Sequence, residues 1–414
     1  MKAKEEPQTT TSMSSEILTD DEPKASPGSM SRRHGRLTLL SIGHGSIDLY
    51  SSVVNTLQPL LVDRFGLSFT QAGWLGGTFM FSSAVLQLPF GVLADRVHSR
   101  LFSTLSPAVA GLFLSSLFWA TGFPSLLVLV FFGGLAIAAF HPPSTKEAST
   151  AGGARPGLSV GIFITSGTFG LSLGPAYFST IIDQFGAGSM SWSAIPAFIV
   201  TGILLWKLPS PMTGDSASSG VDYALLRQHR KPLLLHYFLV VIRSVVQVGM
   251  GQFLTLYLYT ERGFSFHQAS LGLSVFFLSA ATGTFLGGSI SDHIDRRQMV
   301  WFSMIAAVPF LVLFVQTTGW WSILWLYIGT TFLLLTIPVI VVMAQQLVPA
   351  QGATISALMM GFAWGIAGVF CGPVLGWLAD RVGIKPVFFG LAILPLVGFL
   401  LALKLPPSYR KTMP

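Results

Sequence analysis

The chain has 414 residues, of which 51% are hydrophobic and only 10% are charged, and its formal net charge is +7. Soluble domains have about 25% charged residues, so the chain has too few polar residues to cover a soluble surface, and a soluble enzyme is excluded. The positive charge does not indicate nucleic-acid binding, because Lys and Arg lie in short segments between apolar stretches, as in membrane proteins.

Residues 1–35 are rich in Ser, Thr, Glu, Pro and Lys and contain almost no large apolar side chains. We expect a disordered tail without the features of a signal peptide. Twelve apolar stretches follow, each near the roughly 20 residues that a helix needs to cross the bilayer. The predicted spans are 36–62, 69–93, 99–121, 124–145, 157–182, 190–207, 232–259, 266–290, 298–317, 320–345, 352–378 and 385–405.

The predicted spans form two groups of six, 36–208 and 232–406, and each group is expected to be one bundle. Residues 209–231 between them are the longest polar interior stretch, which is typical of a linker, and residues 407–414 form a second short tail. With a cytoplasmic N-terminus, only four of the 24 Lys and Arg lie in outer segments. The positive-inside rule then places both termini in the cytoplasm, and we expect a multi-pass protein of the inner (plasma) membrane.

The second group of spans repeats the first. GLSFTQA at 66–72 reappears as GFSFHQA at 263–269, and GVLADRVHSR at 91–100 reappears as GSISDHIDRR at 288–297, at a constant spacing. Two parallel six-helix repeats in an all-α membrane protein are typical of a secondary transporter, with its substrate path between the halves. A weaker match, GWLADRVGIKP at 376–386, lies on the opposite membrane side by span count and indicates inverted three-helix units.

Asp48 is the only acid well inside a predicted span. It lies about 12 residues into the first span, roughly 18 Å along a helix, and therefore near the middle of the bilayer. A charge at that depth costs about 2.5–3.5 kcal/mol on insertion scales, and such residues are normally functional. His44 lies one turn away on the same face. We expect the two to share a proton and form a proton-coupling site; the alternative is a structural polar pair.

Arg243 is the one basic residue in the middle of a span, about 11 residues into the seventh. The repeat aligns it with the region of His44 and Asp48. We expect Arg243 to grip an anionic substrate with paired hydrogen bonds, or to pair with Asp48 until that acid is protonated. A permanent ion pair for assembly is the alternative. Gln247, one turn further on, is expected to add polar contacts to the substrate.

Three further polar side chains are candidates for substrate binding. His141 lies near the cytoplasmic end of the fourth span, where Pro142 and Pro143 loosen the backbone, and it is either a ligand at the inner mouth or a structural histidine. Gln58 and Gln87 lie within spans, where each either lines the cavity or bridges helices.

The motif GVLADRVHSR closely follows the G-x-L-A-D-R-x-x-x-R signature of the major facilitator superfamily, and the chain resembles this family over about residues 36–406. The resemblance implies a fold of twelve transmembrane helices in two six-helix pseudo-symmetric bundles. It also implies that the motif and its second-half counterpart act in gating. The residues concerned are Gly91, Asp95, Arg96, Arg100, Asp292, Arg296 and Arg297.

A narrower resemblance is to the fosmidomycin resistance group of drug exporters. It rests on His44-x-x-x-Asp48, on LQLPFGVLADR and on AFHPPS at 139–144. Two positions depart from the pattern of that group, because Ile47 replaces an asparagine and Pro143 replaces an acid. The group implies export of a fosmidomycin-like drug or metabolite.

GLSLGP and GVFCGP resemble the G-x-x-x-G-P motif of drug/proton antiporters. Small residues in such a motif let helices approach closely, and proline lets a helix bend. Ordinary tight packing in a membrane bundle is an equal alternative. The residues concerned are Gly170, Gly174, Pro175, Gly368, Gly372 and Pro373.

The sequence contains no Walker motif, no metal-ligand cluster and no enzyme motif, so we expect neither catalysis nor a cofactor. We expect a monomeric, proton-coupled exporter of a small anionic or amphiphilic compound that works by alternating access. An organic-anion uptake symporter or facilitator is the second interpretation, and a non-transporting membrane receptor or assembly protein is the third. The expected partners are a small-molecule substrate, protons and the lipid bilayer, and not nucleic acid.

Overall fold

The computed structural model describes residues 27–97, 99–153, 155–210, 223–291 and 293–405, which are almost entirely helical and contain no β-strand. The first half contains α1 (Pro27–Ser51), α2 (Val53–Phe65), α3 (Phe69–Met80), α4 (Gln87–Val97), α5 (Leu101–Ser115), α6 (Phe123–Ala151), α7 (Pro156–Phe185) and α8 (Ile195–Lys207). The second part contains α9 (Tyr223–Gln228), α10 (Arg230–Glu261), α11 (Phe266–Ile290), α12 (Arg296–Gln316), α13 (Trp320–Leu334), α14 (Thr336–Leu347), α15 (Gly352–Ser356), α16 (Ala363–Val382), α17 (Ile384–Ile393) and α18 (Pro395–Ala402).

The helices confirm an all-α fold of two six-span halves. Ten helical segments are long and apolar enough to cross a membrane. The other two predicted spans are the first, where α1 and α2 are interrupted at Ser52, and the third, which is the 15-residue α5. α1 begins at Pro27, earlier than the predicted start, because proline suits a first helical position. Most of the predicted tails (1–35 and 407–414) and half of the predicted linker (209–231) lie outside the described residues.

The repeated sequence S-F-x-Q begins the second span of each half. At α3, the Ser68 hydroxyl accepts a hydrogen bond from the backbone amide of Gln71, and the Gln71 side chain accepts one from the Ser68 amide. Ser265 and Gln268 form the same capping box at α11. This part of the internal repeat therefore encodes a helix start.

Each half has a core of its own. The largest fully buried side chains include Tyr50, Phe140 and Phe178 in the first half and Tyr257 and Phe276 in the second. The clusters of buried apolar residues stay within one half, apart from a single alanine of α3 that joins the second-half cluster. The packing of buried apolar side chains is therefore concentrated inside the halves.

The halves meet at one end of the bundle, which carries residues 66–68 and 262–265. We call it the outer end, following the orientation predicted from Lys and Arg, and the opposite end the inner end. The contacts run along α2–α10, α3–α16 and α7–α11, and we call them together the outer seal. Gly73 of α3 and Gly372 of α16 approach so closely that a Cβ on either would overlap the backbone oxygen of the other. Only glycine permits this approach.

Side chains of α10 satisfy backbone groups of the first half at the outer seal. Pro59 in α2 has no N–H, so the carbonyl oxygen of Asn55, one turn earlier, lacks its usual helical donor. The Thr255 hydroxyl donates a hydrogen bond to this oxygen across the halves. Gln252 donates a second one to the Gly73 carbonyl oxygen, at 3.0 Å. The outer seal is thus partly polar even though it lies between apolar helices.

Each helix of the α3–α16 contact joins a short π-helical segment, and these two segments also contact each other. Phe81–Val85 connects α3 towards α4, and Ala357–Phe362 leads into α16. Pro89 contributes to the first irregular segment, because it cannot donate to the Val85 carbonyl oxygen. Beyond the π segment, α4 packs on α6 of its own half and buries none of its residues. In the part of the chain that the structure describes, the halves are in contact at the outer end and apart at the inner end, which is an inward-facing state in the predicted orientation.

Gly73→Val is expected to weaken the outer seal, because the added atoms overlap the backbone of α16. Overpacking of this kind costs about 1–3 kcal/mol, so amide hydrogen exchange at the outer ends of α3 and α16 should become faster, as followed by mass spectrometry. Gly288→Val is the matched control, because a Cβ at Gly288 meets no atom within 4 Å. Equal exchange in the two variants would contradict the close contact.

Candidate functional site

Three polar side chains meet in the first half. The Nε2 atom of His44 lies 3.3 Å from one carboxylate oxygen of Asp48, and the Nε2 atom of His141 lies 3.3 Å from the other. His44 and Asp48 share one face of α1, as the sequence predicts, whereas His141 comes from α6. The two imidazole rings stand edge to face with centroids 5.1 Å apart. We call these three residues the Asp48 cluster.

A backbone carbonyl fixes the other nitrogen of each histidine. The Nδ1 atom of His44 donates to the Phe163 oxygen at 2.7 Å, and that of His141 donates to the Ile137 oxygen at 2.8 Å. Both Nδ1 atoms carry hydrogen, because a carbonyl oxygen only accepts. If a ring is neutral, its Nε2 atom has no hydrogen and its lone pair faces the Asp48 carboxylate, which also only accepts. Each Nε2–Asp48 contact therefore becomes a hydrogen bond only when a further proton lies between the two groups. The arrangement can therefore hold one or two protons.

His141 is the member of the Asp48 cluster whose place the sequence does not reveal. We expect it from sequence to lie at the inner mouth, yet the structure brings its ring against Asp48, because α6 packs beside α1. Asp48 and His141 are remote in the chain, and the packing of α6 against α1 brings them together. The donor atoms of the cluster lie within 4.8 Å of one another, which is a spacing that a metal ion could also bridge, although no metal site is predicted from the sequence.

α7 holds the Asp48 cluster from a third side. A Cβ added at Gly167 would come within 2.6 Å of the Asp48 carboxylate and would also press on the His44 ring. The Phe163 ring stacks on His44 with centroids 4.0 Å apart. The glycine of α7 therefore makes room for the pair on α1, and Phe163 orients the imidazole with both its ring and its carbonyl.

The Asp48 cluster is partly exposed at the surface of the helices. The side chains of Asp48 and His141 are 18% and 21% exposed, while that of His44 is buried. A groove of about 500 Å³ lies between α1 and α7, and Ser41 and Gly45 place it on the helical face next to Asp48. Its mostly apolar lining includes Leu37, Ile42, Ile162 and Phe169.

Arg243 lies on α10 in the second half and is only 5% exposed. Its Nη1 donates to the side-chain oxygen of Gln247 at 2.6 Å, while its Nε is buried and has no hydrogen-bond partner among the described residues. Within the described parts of the chain, no acid lies at ion-pair distance from Arg243, so an Asp48–Arg243 pair is absent from this state. Because guanidinium stays charged, the second half contains a buried cation without a counter-ion.

The two glutamine candidates differ in their surroundings. Gln58 is fully buried, and its side-chain nitrogen donates to the Ala72 carbonyl oxygen of α3 at 3.3 Å. This contact favours the helix-bridging alternative for Gln58. Gln87 is partly exposed and donates to the Ser83 carbonyl oxygen in its own span at 2.8 Å, so it remains available to a cavity.

Two of the gating candidates in the first half, Asp95 and Arg100, bond to residues of that half. The Lys146 ammonium donates to the Asp95 carboxylate at 2.8 Å, and Arg100 donates to the Leu208 carbonyl oxygen at 2.6 Å. Asp292, the counterpart of Asp95, lies outside the described residues. With the inner end open, Asp95 makes its ion pair with its own half, and its role in gating stays a prediction.

The G-x-x-x-G-P residues lie at close helix contacts. α7 contains Pro175 and α16 contains Pro373, and both helices are continuous through the proline. Gly170 packs on the carbonyl oxygen of Gly45 in α1, and Gly372 packs on α3 across the halves. This geometry favours the tight-packing alternative over helix bending.

A buried ion pair at the inner end was not predicted. Arg36 Nη1 lies 2.6 Å from the Glu147 carboxylate, and both side chains are buried. Arg36 Nη2 also donates to the Ser210 carbonyl oxygen at 2.8 Å. This arginine therefore ties α1, α6 and the start of the linker together, which the sequence could not reveal because Glu147 lies just beyond the predicted fourth span.

Two six-span halves that close at one end and part at the other define the class of secondary transporters. The family model described as Major Facilitator Superfamily matches residues 40–370 and 237–413. The fosmidomycin resistance protein of Escherichia coli (strain K12) is 31% identical over 387 residues, which cover 91% of this chain and 94% of that protein. The chain belongs to the Major Facilitator Superfamily.

Other proteins show more distant similarity. A D-galactonate transporter of Escherichia coli O6:H1 is 25% identical, over 82% of this chain and 87% of that protein. Among solved structures, a bacterial homologue of the human lysosomal transporter Spinster, in an inward-facing and occupied conformation, has a TM-score of 0.75 at 15% identity. The match covers 89% of this chain and 95% of that one. At this identity, the structural likeness concerns the fold alone.

Gly167→Ala is expected to push the Asp48 cluster apart, because the new methyl group meets both the His44 ring and the Asp48 carboxylate. The two histidines should then react severalfold faster with diethylpyrocarbonate, as measured residue by residue with mass spectrometry. Overpacking should cost about 1–3 kcal/mol. Gly161→Ala on the same helix is the control, because its Cβ meets no atom within 4 Å. Unchanged histidine reactivity in Gly167→Ala would refute this packing role.

Proposed function

We propose that this protein is a proton-coupled exporter of a small anionic or amphiphilic compound and that its two halves alternate access. One observation carries the proposal: Asp48 is held between two histidines in the first half, while Arg243 is buried in the second half without a counter-ion among the described residues. Asp48 precedes Asn55 along the first span and Arg243 precedes Thr255 along α10, and Asn55 and Thr255 bond at the outer seal. The proton site and the anion site therefore lie on the inner side of that seal.

Asp48 carries the proton in this proposal, with His44 and His141 as its partners. Loss of a proton from the more exposed His141 leaves negative charge on the cluster, which is costly inside a bilayer. A change of state that brings Asp48 to another proton source or to a positive group removes this cost. Protonation of the Asp48 cluster thus shifts the balance between the two states of the transporter.

The substrate supplies the missing counter-ion of Arg243. A phosphonate or carboxylate accepts two parallel hydrogen bonds from a guanidinium, and the Arg243 Nε has no other partner in this state. Gln247 holds the Nη1 and orients the guanidinium. The mostly apolar groove beside Asp48 suits the apolar part of an amphiphilic compound.

Export is supported by the similarity to a protein named for fosmidomycin resistance. Antiport requires that substrate and proton exclude each other. A substrate donor group that replaces His141 on the Asp48 carboxylate would free the histidine to release its proton. We further propose that the protein acts as a monomer in the inner membrane with both termini in the cytoplasm.

Uptake of an organic anion together with protons is the second candidate. When protonated histidines bind Asp48, Arg243 does not pair with that acid and stays available for an external anion. Proton binding and anion binding then favour each other, as symport requires. The relative named D-galactonate transporter agrees with an organic-anion substrate. The direction of proton flow relative to substrate flow separates this candidate from export.

Asp48→Asn is expected to abolish proton coupling, because an amide cannot gain or lose the proton. Purified protein in liposomes would be tested for proton movement on addition of fosmidomycin, D-galactonate or tetraphenylphosphonium. We expect at least a tenfold loss of substrate-dependent proton flux in the variant, in line with the effect of a group that transfers protons. Glu261→Gln, at an exposed acid of α10, should behave as the wild type.

Opposite directions of proton and substrate flow would establish antiport, and the same direction symport. Substrate flux that is indifferent to pH and equal in wild type and Asp48→Asn would refute coupling and indicate a facilitator. A wild-type protein that moves none of these compounds while it binds one would favour a receptor.

Arg243→Gln is expected to weaken the binding of anionic substrates selectively, because it removes the buried cation. A hydrogen bond to a charged group contributes about 1.5–3 kcal/mol, so the KM for fosmidomycin or D-galactonate should rise roughly tenfold or more. Arg243→Lys keeps the charge but loses the planar fork and should give an intermediate value. An equal rise in KM for the anions and for tetraphenylphosphonium would show that Arg243 has a structural role and does not bind the anion.

A further inference from the structure

A carboxylate of the second half caps a helix of the first half at the outer seal. The Asp380 carboxylate of α16 accepts hydrogen bonds from the backbone amides of Phe69 and Thr70, at 2.8 and 2.9 Å, and from the Thr70 hydroxyl at 2.5 Å. Phe69 and Thr70 are the first two residues of α3. All three donors belong to one half and the acceptor to the other.

This contact completes the cap of α3. The first amides of a helix have no partner within it and must be satisfied from outside. Ser68 satisfies only the third, that of Gln71, so the first two depend on Asp380 or on water. A negative charge at a helix N-terminus is also favoured by the helix dipole. The Asp380 carboxylate and the N-terminus of α3 are therefore complementary in both charge and geometry.

The equivalent helix of the second half lacks this bond. α11 begins with the same capping box, and Asp183 of α7 corresponds to Asp380, since each lies three residues before a glycine of positive φ that ends its helix. Among the residues that the structure describes, Asp183 accepts no hydrogen bond from α11. The α7–α11 contact instead joins the Ser179 hydroxyl to the His267 ring at 3.1 Å. Among the described residues, a carboxylate therefore caps a helix across the α3–α16 contact but not across the α7–α11 contact.

We propose that Asp380 is a latch that stabilises the closed outer seal and thereby the inward-facing state. Opening of the outer end must part α3 from α16 and break all three hydrogen bonds at once. The closed state gains these charge-assisted bonds, which are stronger than neutral ones, and the open state exchanges them for water. Asp380 thus sets how much of the population faces inward, independently of the Asp48 cluster.

The latch is tested by interhalf distances in the full-length protein without any substrate. Spin labels would be attached in a Cys371→Ser background at Thr121 and Thr318 for the outer end, and at Leu158 and Phe285 for the inner end, all exposed positions. Pulsed electron paramagnetic resonance in lipid nanodiscs then reports both distances. Asp380→Asn should lower the ratio of inward-facing to outward-facing molecules roughly tenfold, as expected for loss of a charged hydrogen-bond partner.

Asp183→Asn is the matched control and should keep the wild-type distances, while Asp380→Glu should recover part of the inward-facing population. If Asp380→Asn does not fold, Thr70→Val removes one of the three donors and should give a smaller shift in the same direction. Wild-type distances in Asp380→Asn, or equal shifts in the Asp380 and Asp183 variants, would overturn the latch. Because no substrate or proton gradient is used, this result is separate from the test of Asp48.

Discussion

The dominant constraint on this chain is that the bilayer core offers no hydrogen bonds, so every polar group there must be satisfied by the protein. The structure turns this constraint into contacts between helices. The Asn55 carbonyl oxygen, which Pro59 leaves without its usual donor, binds Thr255 of the other half. The carbonyl oxygens of Phe163 and Ile137 fix the two histidines around Asp48. Backbone groups thus position both the seal and the site.

The same constraint explains why the ionisable groups of the two halves differ. In the first half, Asp48 has two imidazole partners, and in the proposed function a proton shared among the three limits the cost of its charge. In the second half, the only partner of Arg243 among the described residues is the neutral Gln247, and in the proposed function the substrate compensates its charge. In the proposed function, one electrostatic balance would let the transporter respond to both proton and substrate.

Local sequence predicted the parts of the molecule that depend on local physics. Apolar length predicted the helices, the repeated S-F-x-Q predicted matching segments, and a four-residue spacing placed His44 beside Asp48. Contacts that require packing between remote helices were not predictable in this way. His141 and Asp380 are examples, because each reaches its partner only after the bundle has assembled. The lack of a described acid beside Arg243 also depends on how the helices pack, which a sequence pattern cannot specify.

The contacts along α3 lie at increasing distance from the outer aqueous phase, and this order has a consequence for how the path opens. Asp380 binds at the first turn, Gly73 meets Gly372 and Gln252 about one turn deeper, and Gly368 packs on Met80 near the π segment. Water can replace the bonds at the first turn directly, whereas the glycine contacts admit water only after the helices have moved apart. The outer seal should therefore open first at its solvent-exposed end and then towards the bilayer centre. In the proposed alternating-access cycle, a molecule bound between the helices at that end would stop the cycle before the substrate site is reached.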